Sequence, residues 1–290
     1  WSAQTVSVSL PAKVRAVLEM ANMSDCNPKV TPGVPHEVIK QAQPDEDPLP
    51  RSVPYANVCG AMLWISRMVR VDCMQRTAEL ARAMHAPTWR HWAHAKHLLA
   101  YVKGTIDEKL VYKQDPSVTP ATFGYTGYAD SDFAPDYGSE FENYKSTTGW
   151  VFTINNVAFS WRSRKPTLLA DSTAAAEPMA ATGASKHSIW LRRLFSDLGF
   201  PQSGPSIIYE DNEGCKKLSR NYCGHDRVKH LDLRDMLVRE HHQRGLTELV
   251  SVPTQFQLAD PLTKTLAGPA VRNFRAWSLR GQLPPDCPAT

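Results

Sequence analysis

Residues 148–162 read TGWVFTINNVAFSWR, and this stretch decides the class of fold. Two runs rich in β-branched and aromatic residues, Thr148–Ile154 and Val157–Arg162, flank the dipeptide Asn155-Asn156. Asparagine tolerates the positive φ that a two-residue hairpin turn needs, so the stretch predicts a β-hairpin. A long helical pattern follows from about Ser172 to Leu198. A hairpin that leads into such a helix indicates a sheet with a helix packed against it.

The long helix has two distinct halves. Its first half is a run of small residues, which would let the helix approach a sheet closely. Its second half places Trp190, Leu194 and Leu198 on one apolar stripe, and Gly199 is expected to end it.

Strand and helix patterns alternate through the rest of the C-terminal half. Besides the two hairpin strands, strands are predicted at Thr122–Asp130, Ser206–Glu210 and Leu246–Val252, which makes five. Lys109–Lys113 could form a further short strand ahead of them. Helices are predicted at Asn212–Leu218 and Val228–His242, with a last one beginning near Gln257. This order predicts an α/β fold in which flanking helices cover a mixed five-stranded sheet.

The N-terminal part has no such alternation. Residues 1–52 are expected to be an extended, proline-rich linker at the end of a preceding region, with a short helix around Ala12–Met20. Residues 53–113 predict a small region of three helices, one of which runs from Trp89 to Val102 and is capped by Thr88.

The spacing of apolar residues supports the prediction of helices in this region, because four of them share one helix face: Val58, Met62, Ile65 and Val69. The sheet-forming domain would then cover 114–267, and residues 268–290 are expected to be a loose tail.

Composition excludes several classes of protein. The 290-residue chain is 42% hydrophobic and 21% charged, which is typical of a folded protein. A net charge of +4 is compatible with a nucleic-acid partner and equally with an ordinary domain. The six cysteines lack zinc-site spacing and are widely and irregularly spaced, so we expect reduced thiols and an intracellular location. No run of about 18 apolar residues occurs, so we expect no membrane span. The chain starts at Trp1, and we expect it to be a piece of a longer protein.

Four acidic residues lie at predicted junctions of secondary structure. Asp130 ends a strand, Glu177 lies early in the long helix, Asp211 follows a buried strand, and Asp260 lies near the start of the last helix. Each also has an ordinary explanation, namely a turn, a helix cap or the helix dipole. Asp132 is an alternative to Asp130, which we prefer as the nearer to the strand end. Their β…α…β…α order predicts a carboxylate cluster that holds divalent metal and cuts phosphodiesters.

Longer motifs extend this pattern. Residues 124–266 closely resemble the ribonuclease H domain of copia-type retrotransposon Pol polyproteins, through GYADSDFA, YKSTTGWVFTINNVAFSWRSRKP, STAAAEPMAATGASKHSIWLRRLFSDLG, IIYEDNEGCKKL, RVKHLDLRDMLVRE and VPTQFQLADPLTKTL. Residues 53–113 resemble the connection region before that domain, through VPYANVCGAMLWISRMVRVD and PTWRHWAHAKHLLAYVKGT. The chain is thus similar to the C-terminal part of a copia-type reverse transcriptase.

The resemblance implies a ribonuclease H-like fold and a two-metal site. Asp130, Glu177, Asp211 and Asp260 would be the catalytic residues and would bind two Mg²⁺ or Mn²⁺ ions. The implied reaction is hydrolysis of the RNA strand of an RNA–DNA hybrid during reverse transcription. A polymerase motif of the form Tyr-x-Asp-Asp does not occur in the chain.

Basic residues are expected to contact the nucleic acid through phosphates. Solvated helix faces explain about half of the basic residues equally well, and the residues we select are Arg162, Arg164, Lys165, Lys216, Arg227, Lys229 and His230. The implied partners are the hybrid and the upstream remainder of the Pol polyprotein, in a cytoplasmic virus-like particle or the nucleus.

Two residues depart from the family pattern. Ala175 stands where the family usually has an acidic residue, and Pro178 stands where it has an aromatic one. Proline inside a helix costs ~3 kcal/mol, unless the helix begins at Ala176 or Glu177. The alternative to an active nuclease is therefore a decayed or domesticated copy that serves as a nucleic-acid-binding or interaction module.

Overall fold

The computed structural model describes residues 4–132, 147–165, 173–211, 233–285 and residue 287, without the side chains of residues 132, 173–178 and 233–236. The chain divides into two compact units. The sheet unit comprises residues 1–4, 113–263 and 283–290, and the helical unit comprises residues 5–112 and 264–282. Among the described residues, no helix is long and apolar enough to cross a membrane.

The helical unit is built from five α-helices and a small sheet in its described residues. The helices are α1 (Pro11–Met20), α2 (Tyr55–Met68), α3 (Met74–Arg82), α4 (Trp89–Gly104) and α7 (Gly268–Arg280), and a 3₁₀ turn lies at Val71–Cys73. The strands are β1 (Thr5–Val8) and β2 (Leu110–Lys113), which pair with each other.

The sequence pattern of the helical unit is confirmed at its centre. Val58, Met62, Ile65 and Val69 are all buried, with at most 1% of each residue exposed. The backbone N–H of Thr88 donates to Nδ1 of His91, which joins the predicted cap to the first turn of α4.

The C-terminal segment differs from the expected loose tail, because Gly268–Arg280 forms α7. Pro269 lies in the first turn of this helix, where it is tolerated, and Gly281 ends it with a left-handed φ of 67°. Val271 of α7 is buried in the core of the helical unit.

The sheet unit contains the predicted mixed five-stranded sheet. Its strands are β3 (Thr126–Asp132), β4 (Thr147–Ile154), β5 (Val157–Arg164), β6 (Ser206–Glu210) and β7 (Thr247–Ser251), and their order is β5-β4-β3-β6-β7. The first three are antiparallel neighbours, whereas β3, β6 and β7 are parallel. The hairpin is confirmed, since Asn155 and Asn156 have φ of 47° and 64°.

Helix α5 (Thr173–Asp197) packs against β3 and β4, and helix α6 (Leu233–Gln243) packs against α5. The small residues Ala180, Ala181 and Ala184 are buried with at most 1% exposed, as expected for a close approach of α5 to the sheet. The predicted helix Asn212–Leu218 lies outside the described residues.

Helix α5 confirms the helix predicted from about Ser172 to Leu198. Its stripe of Trp190, Leu194 and Leu198 faces outward, with exposures of 54%, 37% and 60%, because the small residues lie on the sheet side of α5. The helix begins at Thr173, before either later start considered for Pro178, so the hydrogen bond that this proline cannot donate is lost within the helix.

The expectation of a last helix beginning near Gln257 is wrong. Two 3₁₀ turns, Thr254–Phe256 and Asp260–Leu262, occupy that segment instead. Pro253 and Pro261 each remove a backbone donor there, which favours short turns over a continuous helix.

Candidate metal centre

Two of the acidic residues lie near the ends of neighbouring strands, although β3 continues past Asp130 to Asp132 and does not end at Asp130 as predicted. Asp130 is on β3, pairs with Gly149 of β4, and is 6% exposed. Asp211 follows the last residue of β6 and is half-buried. Because β3 and β6 run parallel and adjacent, their carboxyl ends meet at one edge of the sheet, where α/β folds usually place ligands.

Asp260 approaches the same edge from the 3₁₀ turn Asp260–Leu262. Gly149 makes this approach possible, because a Cβ at that position would lie 2.7 Å from Cβ of Leu262 and 3.0 Å from Cγ2 of Thr263. Any side chain on this residue of β4 would therefore displace the turn.

Side-chain hydrogen bonds then fix the turn against β3. The Thr263 hydroxyl contacts Oδ2 of Asp130 and lies 2.9 Å from the Asp260 carbonyl oxygen. The Gln257 amide donates to the Ala129 carbonyl oxygen at 2.9 Å and accepts from the Ala259 N–H at 3.1 Å. These contacts position Asp260 beside Asp130.

The result is a cluster of three carboxylates. One carboxylate oxygen from each of Asp130, Asp211 and Asp260 lies within 4.8 Å of the other two. Oxygen ligands are those that Mg²⁺ and Mn²⁺ prefer, and a divalent cation would offset the mutual repulsion of the carboxylates. The donor set therefore fits a hard divalent metal ion.

The structure does not place the remaining members of the predicted site. Glu177 lies on α5, within the helix Thr173–Asp197, but its side chain is outside the described part. The side chain of the alternative acid, Asp132, is outside it as well. The same holds for four of the predicted nucleic-acid contacts, namely Lys216, Arg227, Lys229 and His230.

The other three predicted contacts lie along β5 and its end. Arg162 and Arg164 are exposed on β5, and Lys165 follows the strand and is partly exposed. Since β5 is an outer strand of the sheet, these cations are at its edge.

Three residues that shape the centre were missed by sequence reasoning: Gly149, Gln257 and Thr263. A glycine inside the strand pattern was the one available signal, because such glycines often mark a close approach of another backbone. Gln257 and Thr263 contact residues more than a hundred positions away in the sequence. No local sequence pattern predicts such contacts.

Comparisons with known proteins show which family the chain belongs to. No protein-family model matches the chain. The chain is 32% identical over 258 residues to the retrovirus-related Pol polyprotein from transposon TNT 1-94 of Nicotiana tabacum, which covers 87% of this chain and 18% of that protein. It is 32% identical over 239 residues to the retrovirus-related Pol polyprotein from transposon RE2 of Arabidopsis thaliana, with 82% and 16% covered.

Among solved structures, ribonuclease H1 from the halophilic archaeon Halobacterium salinarum NRC-1 aligns with 48% of this chain and 93% of its own, at 15% identity and a TM-score of 0.35. The strand order and the placement of the acids on β3 and after β6 define the sheet unit as a mixed α/β domain with an acidic cluster at its strand ends. The chain belongs to the family of retrovirus-related Pol polyproteins, which confirms the resemblance to the copia type. It spans less than a fifth of the length of these curated relatives.

Proposed function

We propose that this chain is the ribonuclease H part of a copia-type reverse transcriptase and hydrolyses the RNA strand of RNA–DNA hybrids. The observation that carries the proposal is the convergence of Asp130, Asp211 and Asp260 within 4.8 Å at the carboxyl ends of adjacent parallel strands. Membership of the Pol family supports the same reaction, and we propose that the chain works inside the cell as part of a Pol polyprotein.

The three carboxylates, with Glu177 as the family resemblance implies, would hold two Mg²⁺ or Mn²⁺ ions. Bound there, the ions would supply positive charge to the phosphodiester oxygens and favour deprotonation of water. The protein's own contribution is orientation, since the Thr263 hydroxyl holds Oδ2 of Asp130 and Gln257 fixes the turn that presents Asp260. Burial of Asp130 keeps bulk water from competing for its oxygens.

Substrate selection would depend on backbone geometry. Hybrids are distinguished from double-stranded DNA by groove shape and the 2′-hydroxyl, while phosphate contacts supply affinity. Arg162, Arg164 and Lys165 would supply part of these contacts, together with Lys216, Arg227, Lys229 and His230.

The test is cleavage of a labelled hybrid by the chain and by Asp211→Asn. The unaltered chain should cut the RNA strand with Mg²⁺ or Mn²⁺, should leave double-stranded DNA intact, and should lose activity in EDTA. Asp211→Asn removes a ligand charge, so its rate should fall by more than about a hundredfold, beyond the usual effect of changing a residue that only supports a ligand. The control Asp197→Asn, at an exposed residue of α5, should keep full activity. Robust cleavage by Asp211→Asn would overturn the assignment.

A second candidate is a copy that binds hybrid without cutting it. Ala175 and Pro178, which depart from the family pattern inside α5, favour this alternative. A binding assay run beside the cleavage assay separates the two, because tight hybrid binding with no turnover in either metal would identify a binding module.

A further inference from the structure

A cavity of about 460 Å³ lies between α5 and the strands β4 and β5, within the sheet unit. Its volume is in the range of small-molecule and cofactor sites. The residues that give it chemical character are Trp150, Arg162, Arg164, Lys186, His187 and Trp190.

One wall of the cavity is a stack of three aromatic rings. The rings of Trp150 and His187 are 4.1 Å apart between centroids with an interplanar angle of 25°, and those of His187 and Trp190 are 5.2 Å apart at 29°. Trp150 is buried, whereas Trp190 at the other end of the stack is 54% exposed. The stack therefore presents an indole that is available for contact with a further flat ring.

His187 is held as a neutral member of this stack. Burial, with a smaller effect from Arg162, lowers the pKa of His187 to about 4. Its Nε2 lies 2.8 Å from the hydroxyl of Ser160 on β5, which fixes the ring plane. A fixed ring between two tryptophans makes the aromatic wall a preformed surface.

Besides the aromatic wall, the cavity is lined by positively charged side chains. Arg162, Arg164 and Lys186 are exposed at the cavity, and its described lining contains no Asp or Glu. Three positive charges beside an exposed indole are the combination by which proteins hold unpaired nucleotides, with phosphates on the cations and a base on the ring. An acidic peptide would use the charges but would leave the flat aromatic surface without a matching partner.

This cavity is separate from the acidic cluster. Successive side chains of a strand point to opposite faces of the sheet, so Thr148 and Trp150, which line the cavity, lie on one face of β4. Gly149 lies on the other face, where it meets Leu262 and Thr263 and pairs with Asp130. The two features therefore occupy opposite faces of the same strand.

We propose that this cavity is a binding site for single-stranded nucleic acid, in which a base stacks on Trp190 and the adjoining phosphates contact Arg162, Arg164 and Lys186. The inference rests on the proposed function in that both expect nucleic acid as the partner and both use Arg162 and Arg164 as phosphate contacts. The site would hold an unpaired segment away from the acidic cluster.

The experiment measures binding of a fluorescein-labelled oligothymidylate to the full chain by fluorescence anisotropy in EDTA. Trp190→Ala should weaken binding by about tenfold, within the range of base stacking on an aromatic side chain, and Trp190→Phe should restore most of it. Trp64→Ala, which removes a 47% exposed tryptophan of the helical unit, is the matched control and should bind like the unaltered chain.

A second measurement separates base stacking from charge. An oligonucleotide with abasic spacers should bind the unaltered chain about tenfold more weakly, and Trp190→Ala should not distinguish the two probes. The logarithm of the binding constant falls linearly with the logarithm of the salt concentration, and Arg164→Ala and Lys186→Ala should each make this slope shallower by about 0.7. Arg193→Ala, on the outer part of α5, should leave the slope unchanged.

Absence of oligothymidylate binding, or binding by Trp190→Ala within twofold of the unaltered chain, would overturn the proposal. The outcome is independent of the hybrid-cleavage test, because the probe is DNA, EDTA removes divalent metal, and Asp211→Asn should bind it normally. A chain that cuts hybrid but ignores oligothymidylate would keep the proposed function and lose this site. The reverse pair of results would keep the site and lose the function.

Discussion

Buried carboxylates are treated in opposite ways in the two units. In the helical unit, Asp72 accepts two hydrogen bonds from Arg70, at 2.9 Å and 2.8 Å, and a third from the Tyr101 hydroxyl at 2.6 Å. In the sheet unit, Asp130 converges with two other carboxylates. The first arrangement brings a cation to the acid, and the second brings acids to one another.

The difference separates a carboxylate whose charge the fold itself neutralises from carboxylates that repel one another. Burial by itself raises the pKa of Asp72, but Arg70, Tyr101 and Arg275 together outweigh this effect and hold that pKa below its usual range. In an ion pair of this kind, the charge of the carboxylate is neutralised by groups of the protein itself, and no ligand is needed. Like charges that gather at a strand end oppose folding, so they are expected where a ligand will supply the opposite charge.

The same substitution in the two units should therefore have unequal effects on stability. Asp72→Asn leaves the Arg70 guanidinium buried without its partner charge, which should cost about 3–5 kcal/mol of unfolding free energy. Asp211→Asn removes one of three like charges and should leave the unfolding free energy in EDTA unchanged within about 0.5 kcal/mol, or raise it. Urea unfolding of both variants gives the comparison, and the exposed Asp25→Asn is the control for the helical unit. Equal losses in the two variants would contradict the distinction.

A glycine substitution should disrupt the acidic cluster without touching any acid. The Cβ of Gly149→Ala would lie 2.7 Å from Leu262 and would push the turn with Asp260 away from Asp130. We expect a loss of about 1–3 kcal/mol, typical of overpacking, together with loss of the stabilisation that Mg²⁺ gives to the unaltered chain. Thermal unfolding with and without Mg²⁺ measures both effects.

The matched control is Gly124→Ala in the same unit, because a Cβ at Gly124 has no neighbour within 4 Å. It should keep the full response to Mg²⁺. Full retention of that response in Gly149→Ala as well would show that the close approach of the turn is not needed for metal binding.

The smallest expected effect is a pH dependence of the helical unit. His91 is fully buried, its Nδ1 accepts the Thr88 N–H at 3.0 Å, and its Nε2 lies 2.8 Å from the Lys40 carbonyl oxygen. The neutral ring with its proton on Nε2 satisfies both contacts. Burial lowers the pKa of His91 from its ordinary 6.5, so below pH 6.5 the unfolded chain binds a proton that the folded chain does not.

Stability should consequently fall as the pH drops from about 7 to about 5, by at most about 1.4 kcal/mol per pH unit from this one group. His91→Gln retains a side chain that can accept the Thr88 N–H but does not titrate, so its pH slope should be smaller. Urea unfolding across this pH range tests the slope, and the exposed His85→Gln should leave it unchanged. An unaltered slope in His91→Gln would refute the role of this ring.

Local patterns predicted much of the sheet unit. The strand at Ser206–Glu210 and the turn at Asn155-Asn156 have the predicted bounds, because strand alternation and positive φ depend on neighbouring residues. The outward orientation of Trp190, Leu194 and Leu198 could not be predicted, because helical spacing identifies an apolar face without saying what it packs against. The smaller residues allowed the closer contact, and they face the sheet.

The residues of the candidate site also differ in whether local sequence patterns predict them. Asp130 and Asp211 could be predicted, because strand ends in α/β folds are visible in the sequence and carry ligands. Asp260 was found, but on the wrong element, since the expected helix is a pair of 3₁₀ turns. Gln257 and Thr263 depend on which segments meet across the fold, which no single stretch of sequence specifies.

Helix α7 has a consequence for the order in which the chain is made. Its buried Val271 joins a core formed by residues 14–102, so the helical unit lacks part of its interior until the ribosome has passed residues 113–263 of the sheet unit. Such distant pairing delays completion of the unit that is begun first. Division of the chain after Ala267 would therefore damage the helical unit, although the cut lies on the far side of the sheet unit in the sequence.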